Sequence, residues 1–172
     1  MAGPPREARL HMVAMSQSFT LGPVNVALPP AERFTQFLQS KGKRITQQRR
    51  IIVQQVFSHH DHFDADELMG HLRELIAERK VSRPTVYRTL SELVEAGLLR
   101  QMSLGGRSIY DHEYGYPSHD HLYCQACHKL IEFHSAQLEQ IREAVALEHD
   151  FQVKAHRMIV SGICAECRAT GI

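Results

Sequence analysis

Cys124–Cys127 and Cys164–Cys167 form two C-x-x-C pairs with 36 residues between them. Each pair closes a short loop whose backbone amides point at the sulfurs. Together they supply four thiolates, the number that a tetrahedral structural zinc site takes. Such a site is closed and contributes folding energy directly. The alternatives are a redox pair, an iron centre held by the four cysteines, or chance. A redox pair belongs in a thioredoxin-like strand–helix context, which is not legible here.

A second chemistry overlaps the first. The stretch "SHDHLYCQACHKLIEFH", Ser118 to His134, holds four of the chain's 12 histidines. On a strand, alternate side chains share a face. His119 and His121 then chelate one ion together, while Asp120 points the other way toward another. Asp111 and Glu132 add hard oxygen donors nearby in sequence. A mixed imidazole–carboxylate set suits Fe²⁺, Mn²⁺ or Zn²⁺. "HHDHFDADE", His59 to Glu67, offers a further imidazole, but on sequence alone it reads as a solvated turn and helix start capped by Asp64.

Parts of a hydrolase are missing. There is no H-E-x-x-H. The H-x-H at His119–His121 runs into Leu122, Tyr123 and Cys124 rather than a metal-bridging Asp-His. No Ser/His/Asp set or Gly-rich phosphate cradle stands out. We therefore read the chain as not an enzyme. A metalloenzyme or metal-buffering protein is the competing class, and metal-dependent, sequence-specific retention on DNA separates the two.

Charge divides the chain. Residues 29–108 carry 13 Lys and Arg against 9 Asp and Glu, whereas residues 109–172 carry 5 against 9. A basic half suits a polyanion, and an acidic half rich in histidine and cysteine suits cations. No apolar run of 18 residues occurs and the first 28 residues lack a signal-peptide layout, so we expect a cytoplasmic protein without a membrane segment. There, four cysteines favour metal over disulfides.

These residues need elements to position them. "PPAERFTQFLQSKG" predicts a helix ended by Gly42, and "TQQRRIIVQQVFSHH" a second capped by Thr46, with Ile51, Ile52 and Val56 on one side. "DADELMGHLRELIAE" predicts a third. "SRPTVYRTLSELVEAGLL" predicts a fourth, with Ser82 as N-cap, Pro84 in its first turn and Gly97 at its end. Val86, Leu90, Leu93 and Val94 make its apolar stripe; Glu92 points elsewhere. Two alternating runs flank Gly105–Gly106, a tight hairpin. Helices followed by a hairpin give a winged helix-turn-helix order. Thr85, Tyr87 and Arg88 lie in the first turns of the fourth helix, where a recognition helix places its contacts. "KGKRITQQRR", with Arg44 and Arg49, reads as a phosphate strip, and Arg107 as the wing tip. Basic helix faces are also commonly just solvated. "EYGYPSH" reads as a hinge. A strand pair around the cysteine knuckle, a helix over "SAQLEQIREAVALEHD" and a strand over "FQVKAHRMIVSGIC" follow.

Taken together, "RITQQRRIIVQQVF", "SRPTVYRTLSELVEAGLL", "GGRSIYD", "HDHLYCQACHKLIEF" and "CAEC" resemble the ferric uptake regulator family over about residues 30–168. The resemblance implies an α+β fold: a winged helix-turn-helix DNA-binding domain, then a smaller α/β dimerisation domain. The expected boundaries are 1–28 for a disordered N-terminal extension, 29–111 for the winged helix, 112–120 for the hinge and 121–172 for the metal-binding dimerisation domain. It implies a metal-dependent repressor acting as a homodimer on double-stranded operator DNA, with neither membrane nor small organic substrate. By motif, Cys124, Cys127, Cys164 and Cys167 match the structural zinc site. His62, Asp111, His119, His121 and Glu132 match the sensory site, so the resemblance promotes His62 from turn to ligand. Asp120, Glu139 and His156 match an additional site, but Ser118 stands where its usual fourth ligand is a histidine. Zinc sensors in the family often carry cysteine at the position of Asp111. Peroxide sensors resemble this chain at Asp111 but tend to carry aspartate at Glu132, where iron sensors carry glutamate. Fe²⁺ is therefore the first expectation for the regulatory metal. Peroxide or manganese sensing comes next, and zinc sensing after that.

Overall fold

The computed structural model of the chain describes residues 24, 26–59, 61–78 and 80–171. Among these, α1 (Pro30–Ser40) and α2 (Gln47–Val56) open the first module. Pro30 stands in the first turn of α1, where its missing N–H costs nothing. Gly42 leaves α1 with φ +68°, the left-handed stop that glycine adopts without strain. The Thr46 hydroxyl caps α2 by accepting from Arg49 N at 3.3 Å. Val53, rather than Ile51, joins Ile52 and Val56 at the buried centre of α2; Ile51 is partly buried beside them.

The expected third helix is two. After β1 (Phe63–Asp64), α3 (Ala65–His71) and α4 (Arg73–Ala77) meet at Leu72, whose ψ of 7° leaves the helical range. Gly70, a weak helix former, precedes the break. The turn lets Leu68 and Leu72 both reach the core while Leu75 and Ile76 pack on its margin. Asp64 starts α3 with a capping box: its Oδ1 accepts from Asp66 N and Glu67 N at 2.9 and 2.8 Å. Glu67 Oε2 reaches back to Asp64 N at 2.8 Å.

α5 (Arg83–Glu95) buries Val86, Leu90 and Leu93, with Val94 half-buried. Ser82 holds cap geometry but bonds the Thr85 hydroxyl at 2.7 Å, not a helix N–H. Glu92 points away from the apolar stripe as expected, and is nonetheless buried, against the helix–loop junction. β2 (Leu99–Leu104) and β3 (Arg107–His112) form the hairpin. Positive φ at both Gly105 and Gly106 gives the turn that matches strand twist. β1 adds to β3, pairing Phe63 with Tyr110 and Asp64 with Ile109. One apolar core, from Phe34 to Tyr110, fastens these helices to the three-stranded sheet β1-β3-β2.

Residues 113–119 lead into the second module. β4 (Asp120–Cys124) lies between antiparallel β5 (Leu130–Phe133) and parallel β6 (Ile159–Gly162). α6 (Ala136–Glu148), capped by the Ser135 hydroxyl, makes the crossover, and α7 (Ala165–Ala169) carries Cys167. The strand expected from residue 151 is shorter, because the preceding backbone bonds elsewhere. Phe151 N closes the end of α6 on Ala146 O at 2.8 Å, and Met158 N donates to the Asp120 carboxylate. Most of the extension expected over 1–28 lies outside the described residues. Val24 N donates to Gly115 O at 3.3 Å, and the Tyr114 hydroxyl donates to Leu28 O at 3.0 Å. Among the described residues no helix is long and apolar enough to cross a membrane.

Asp64 serves three ends at once: the α3 cap, the β1–β3 ladder and an ion pair with Arg107. Asp64→Ala is expected to lower stability by about 1–2 kcal/mol, mainly through the lost cap. Asp64→Asn, which keeps an acceptor oxygen, is expected to cost less. Urea denaturation of the zinc-loaded proteins measures both.

Candidate metal centre

The four cysteine sulfurs converge from two loops. Cys124 ends β4, Cys127 follows in the knuckle, and Cys164 and Cys167 bracket the start of α7. Cys124 Sγ and Cys167 Sγ are 3.9 Å apart, and Cys127 Sγ and Cys164 Sγ 3.8 Å. A disulfide needs about 2.05 Å. A tetrahedron with Zn–S bonds of about 2.3 Å has edges of about 3.8 Å. The donor set therefore fits zinc. Backbone amides prepare it: those of Cys127, Cys164 and Ala126 lower the Cys124 thiol to about 6, with Cys164 N at 3.3 Å from its sulfur. Thiols crowded together oppose a second ionisation. Hydrogen bonding from Cys164 and Cys127 holds Cys167 up, to about 12, until a cation relieves it.

The second set straddles the two modules. His62 precedes β1, Asp111 sits on β3, His119 enters β4, and His121 and Glu132 face each other across the β4–β5 ladder. One donor atom from each of the five lies within 4.8 Å of all the others. His62 Nε2 is 2.7 Å from His121 Nε2 and 3.5 Å from Asp111 Oδ1, and its Nδ1 is 3.4 Å from Glu132 Oε1. His119 Nδ1 lies 3.0 Å from Pro117 O. A carbonyl only accepts, so Nδ1 carries the proton and Nε2 turns its lone pair inward. That is the tautomer a metal-binding histidine needs.

Electrostatics leave the centre unfinished. Asp111 Oδ2 and His119 Nε2 are buried without a well-formed hydrogen bond and face each other at 3.4 Å. Burial alone would raise the Asp111 carboxyl, but contact with His119 and the charges of His62 and His121 hold it below its ordinary range. Burial would lower His119; Asp111 and the Pro117 carbonyl outweigh it and raise it. His121, fully buried, is pushed down to about 4 by burial and by neighbouring His62, so it stays neutral with a lone pair to give. Buried polar atoms with no partner are costly. Here they point at one small space bounded by imidazole nitrogens and carboxylate oxygens, a set that fits a divalent cation of the Fe²⁺, Mn²⁺, Zn²⁺ kind.

Three residues expected to share an additional site are not gathered in this way. Asp120 and His156 meet at 3.2 Å, on the opposite side of β4 from His121. Glu139 instead faces His134 Nε2 at 3.8 Å.

On the basic module, Tyr87 and Arg88 are exposed on the outer side of α5, with Tyr87 48% accessible, and Thr85 is half-buried at its start. Arg44 is exposed in the loop before α2. Arg49 is engaged: it donates to Glu92 Oε1 at 2.9 Å and to Arg44 O at 2.9 Å, and Lys43 joins the same carboxylate at 2.8 Å. Arg107 is folded back from the hairpin onto Asp64. Sequence reasoning missed Glu92 as the anchor of the basic strip. It also missed the Pro117 carbonyl, which has no side-chain signature, and the wing contact. A side chain at Gly105 would collide with the Tyr123 hydroxyl, so the hairpin tip lies against the cysteine knuckle of the second module.

The profile of the ferric uptake regulator family matches residues 40–161. The chain is 31% identical to the ferric uptake regulation protein of Campylobacter upsaliensis over 136 residues, 79% of this chain and 87% of that one. It is equally 31% identical to the peroxide-responsive repressor PerR of Staphylococcus epidermidis over 134 residues, 78% of this chain and 87% of that one. The crystal structure of the Vibrio cholerae ferric uptake regulator superposes with a TM-score of 0.63 at 29% identity, covering 76% of this chain and 98% of that one.

Cys124→Ser removes one of four thiolates and the amide-bonded sulfur at their centre. It is expected to cost the protein one tightly held zinc per chain and to loosen or unfold the β4–β6 module. Atomic emission for zinc, together with the far-ultraviolet melting profile, checks this. A wild-type chain stripped of zinc that keeps its fold would contradict it.

Proposed function

The chain belongs to the ferric uptake regulator family, and from that premise we propose how this metal-responsive transcriptional regulator works. It represses from operator DNA in the cytoplasm, as a homodimer, in response to a divalent metal, Fe²⁺ in the first place. The observation that carries the reading is the five-donor set drawn from both modules.

A divalent ion in that set supplies the positive charge that Asp111 and Glu132 lack and the Lewis acid that three imidazole lone pairs need. The rest is the work of the chain. With the donors gathered, His62 and Asp111 hold the winged helix, and His119, His121 and Glu132 hold the β4–β5 pair, in one relative orientation. β1 and β3 share a ladder, so that orientation passes into the whole hairpin sheet and the helices packed on it. In a dimer the separation of two α5 helices must match two half-sites on the duplex. Exposed Tyr87 and Arg88, with Arg44 from the adjoining loop, meet bases and phosphates. Arg49 supports that loop through Glu92.

Apolar surface supports the second copy. Leu122, Ile131 and Val160 lie in register across β5-β4-β6 and are all exposed. On α6 and just after it, Ile141, Val145 and Phe151 are exposed as well. A monomer would leave this surface in water.

Peroxide sensing is a second reading, favoured by the equal identity to a peroxide-responsive repressor. DNA retention by the Fe²⁺-loaded protein after hydrogen peroxide, compared with the Mn²⁺-loaded form, separates the two.

Metal and DNA favour the same arrangement, so each tightens the other's binding by the same factor. His62→Ala is expected to leave zinc and dimer mass unchanged. It is expected to abolish most of a metal enhancement of DNA binding of about 5–150-fold, the range typical of allosteric coupling. His121→Ala is expected to do the same, and the double variant little more, because both act on one ion. The probe is a duplex selected from random sequence by the metal-loaded protein, titrated with and without Fe²⁺ or Mn²⁺, anaerobically for iron. A His62→Ala protein that keeps the full enhancement would sink the bridging mechanism while leaving the family standing.

A further inference from the structure

The additional cation site implied for Asp120, Glu139 and His156 does not fit the side chains present. The two other donor sets are gathered within 4.8 Å, and Glu139 belongs to neither. It lies against His134 instead. Ser118, in place of a further imidazole, offers only an exposed hydroxyl. The pocket beside Asp120 and His156 already contains a cation, the guanidinium of Arg142, whose Nη1 is 2.5 Å from His156 Nδ1.

The hydrogen-bond polarity of this cluster is determined. A guanidinium only donates, so His156 Nδ1 accepts. His156 Nε2 then carries the proton and donates to Asp120 Oδ2 at 3.2 Å. Asp120 Oδ1 accepts from Met158 N at 2.9 Å. Both carboxylate oxygens and both ring nitrogens are therefore occupied, and no lone pair of His156 is left to ligate. Nε and Nη2 of the same guanidinium bond Glu143 Oε1 at 3.1 and 2.8 Å, which fixes its direction. Asp120 is buried on β4, Arg142 stands on α6, and His156 and Met158 lead into β6.

We propose that in this chain Arg142 takes the place of a metal ion: Arg142, His156 and Asp120 form a permanent clasp that ties α6 and the β6 approach to β4. A metal-fastened module loosens when the metal is scarce. This fastening stays in place when the regulatory metal is scarce, so among the described residues the regulatory set at His62, Asp111, His119, His121 and Glu132 is the one exchangeable cation site beside the cysteine zinc site. The clasp makes the β4–β6 module insensitive to the ion that the other site senses.

The test counts ions on the full-length, zinc-loaded protein by equilibrium dialysis against Mn²⁺, then against Zn²⁺, followed by atomic emission. The wild type is expected to saturate at two ions per chain, one for each gathered donor set. His121→Ala is expected to lose one of them, and His156→Ala none. A third ion in the wild type that disappears in His156→Ala would overturn the proposal, and that count requires only that the wild type fold. Arg142→Met, which keeps the side-chain volume and removes the charge, is expected to lower the thermal midpoint by several degrees at unchanged zinc content. Arg142→Lys is expected to recover part of the loss. An Arg142→Met protein that melts with the wild type would also overturn it. Because the count at His156 is read apart from the loss at His121, failure of the clasp and failure of the sensory site give different results.

Discussion

A carboxylate taken out of water must be met by positive charge or by donors, and among the described residues four are buried: Asp64, Glu92, Asp111 and Asp120. Three are answered by the chain itself. Asp64 has Arg107 and two amides, Glu92 has Lys43 and Arg49, and Asp120 has Met158 N and the His156–Arg142 pair. Asp111 is the exception: its ion pairs are with histidines alone. Those histidines pull in different directions, His119 raised and His121 lowered. A deficit left at one buried acid, at the seam between two modules, concentrates the chain's need for a cation in one place.

The surrounding architecture transmits that need. Asp111 sits on β3, opposite Arg100 on β2, and β1 pairs with the same strand, so it cannot move without the hairpin. His121 sits opposite Glu132 and is hydrogen-bonded through its backbone to Met158, so it cannot move without β5 and β6. Asp111, His121 and Glu132 are held in the ladders of their own modules, and His62 and His119 each stand one residue before a strand of theirs. Glu92 has a comparable role on the basic strip, where it gathers Lys43 and Arg49, and Arg49 in turn holds the backbone of Arg44.

Much of this was legible because its signals are local. The caps at Thr46 and Asp64 and the paired glycines of the hairpin each follow from one short stretch, and the doubled C-x-x-C from two. His119 and His121 shared a face because strands alternate. What failed was non-local. On its own stretch His62 reads as a solvated turn, and only the family resemblance marks it as a ligand, because the histidine it meets is 59 positions away. Glu92 reads as a surface acid because the cations that bury it come from another helix and loop. Arg142 is one basic residue on a helix, and its position over His156 depends on where the crossover returns. The break at Leu72 and the late start of β6 reflect tertiary demands on backbone that propensity alone would have continued.

Only residues 113–119 connect β3 to β4. A connection this short keeps His62 and Asp111 close to His119, His121 and Glu132 even when the modules part. For a short flexible tether the effective concentration of one half-site around the other is on the order of millimolar. An ion captured by one half therefore meets the other in a unimolecular step, without waiting on diffusion. The same effective concentration favours recapture over escape, so an ion held by both halves is retained longer than either half alone would hold it. The length of the connection thus bears on how firmly an ion is held, while the donor atoms decide which ion it is.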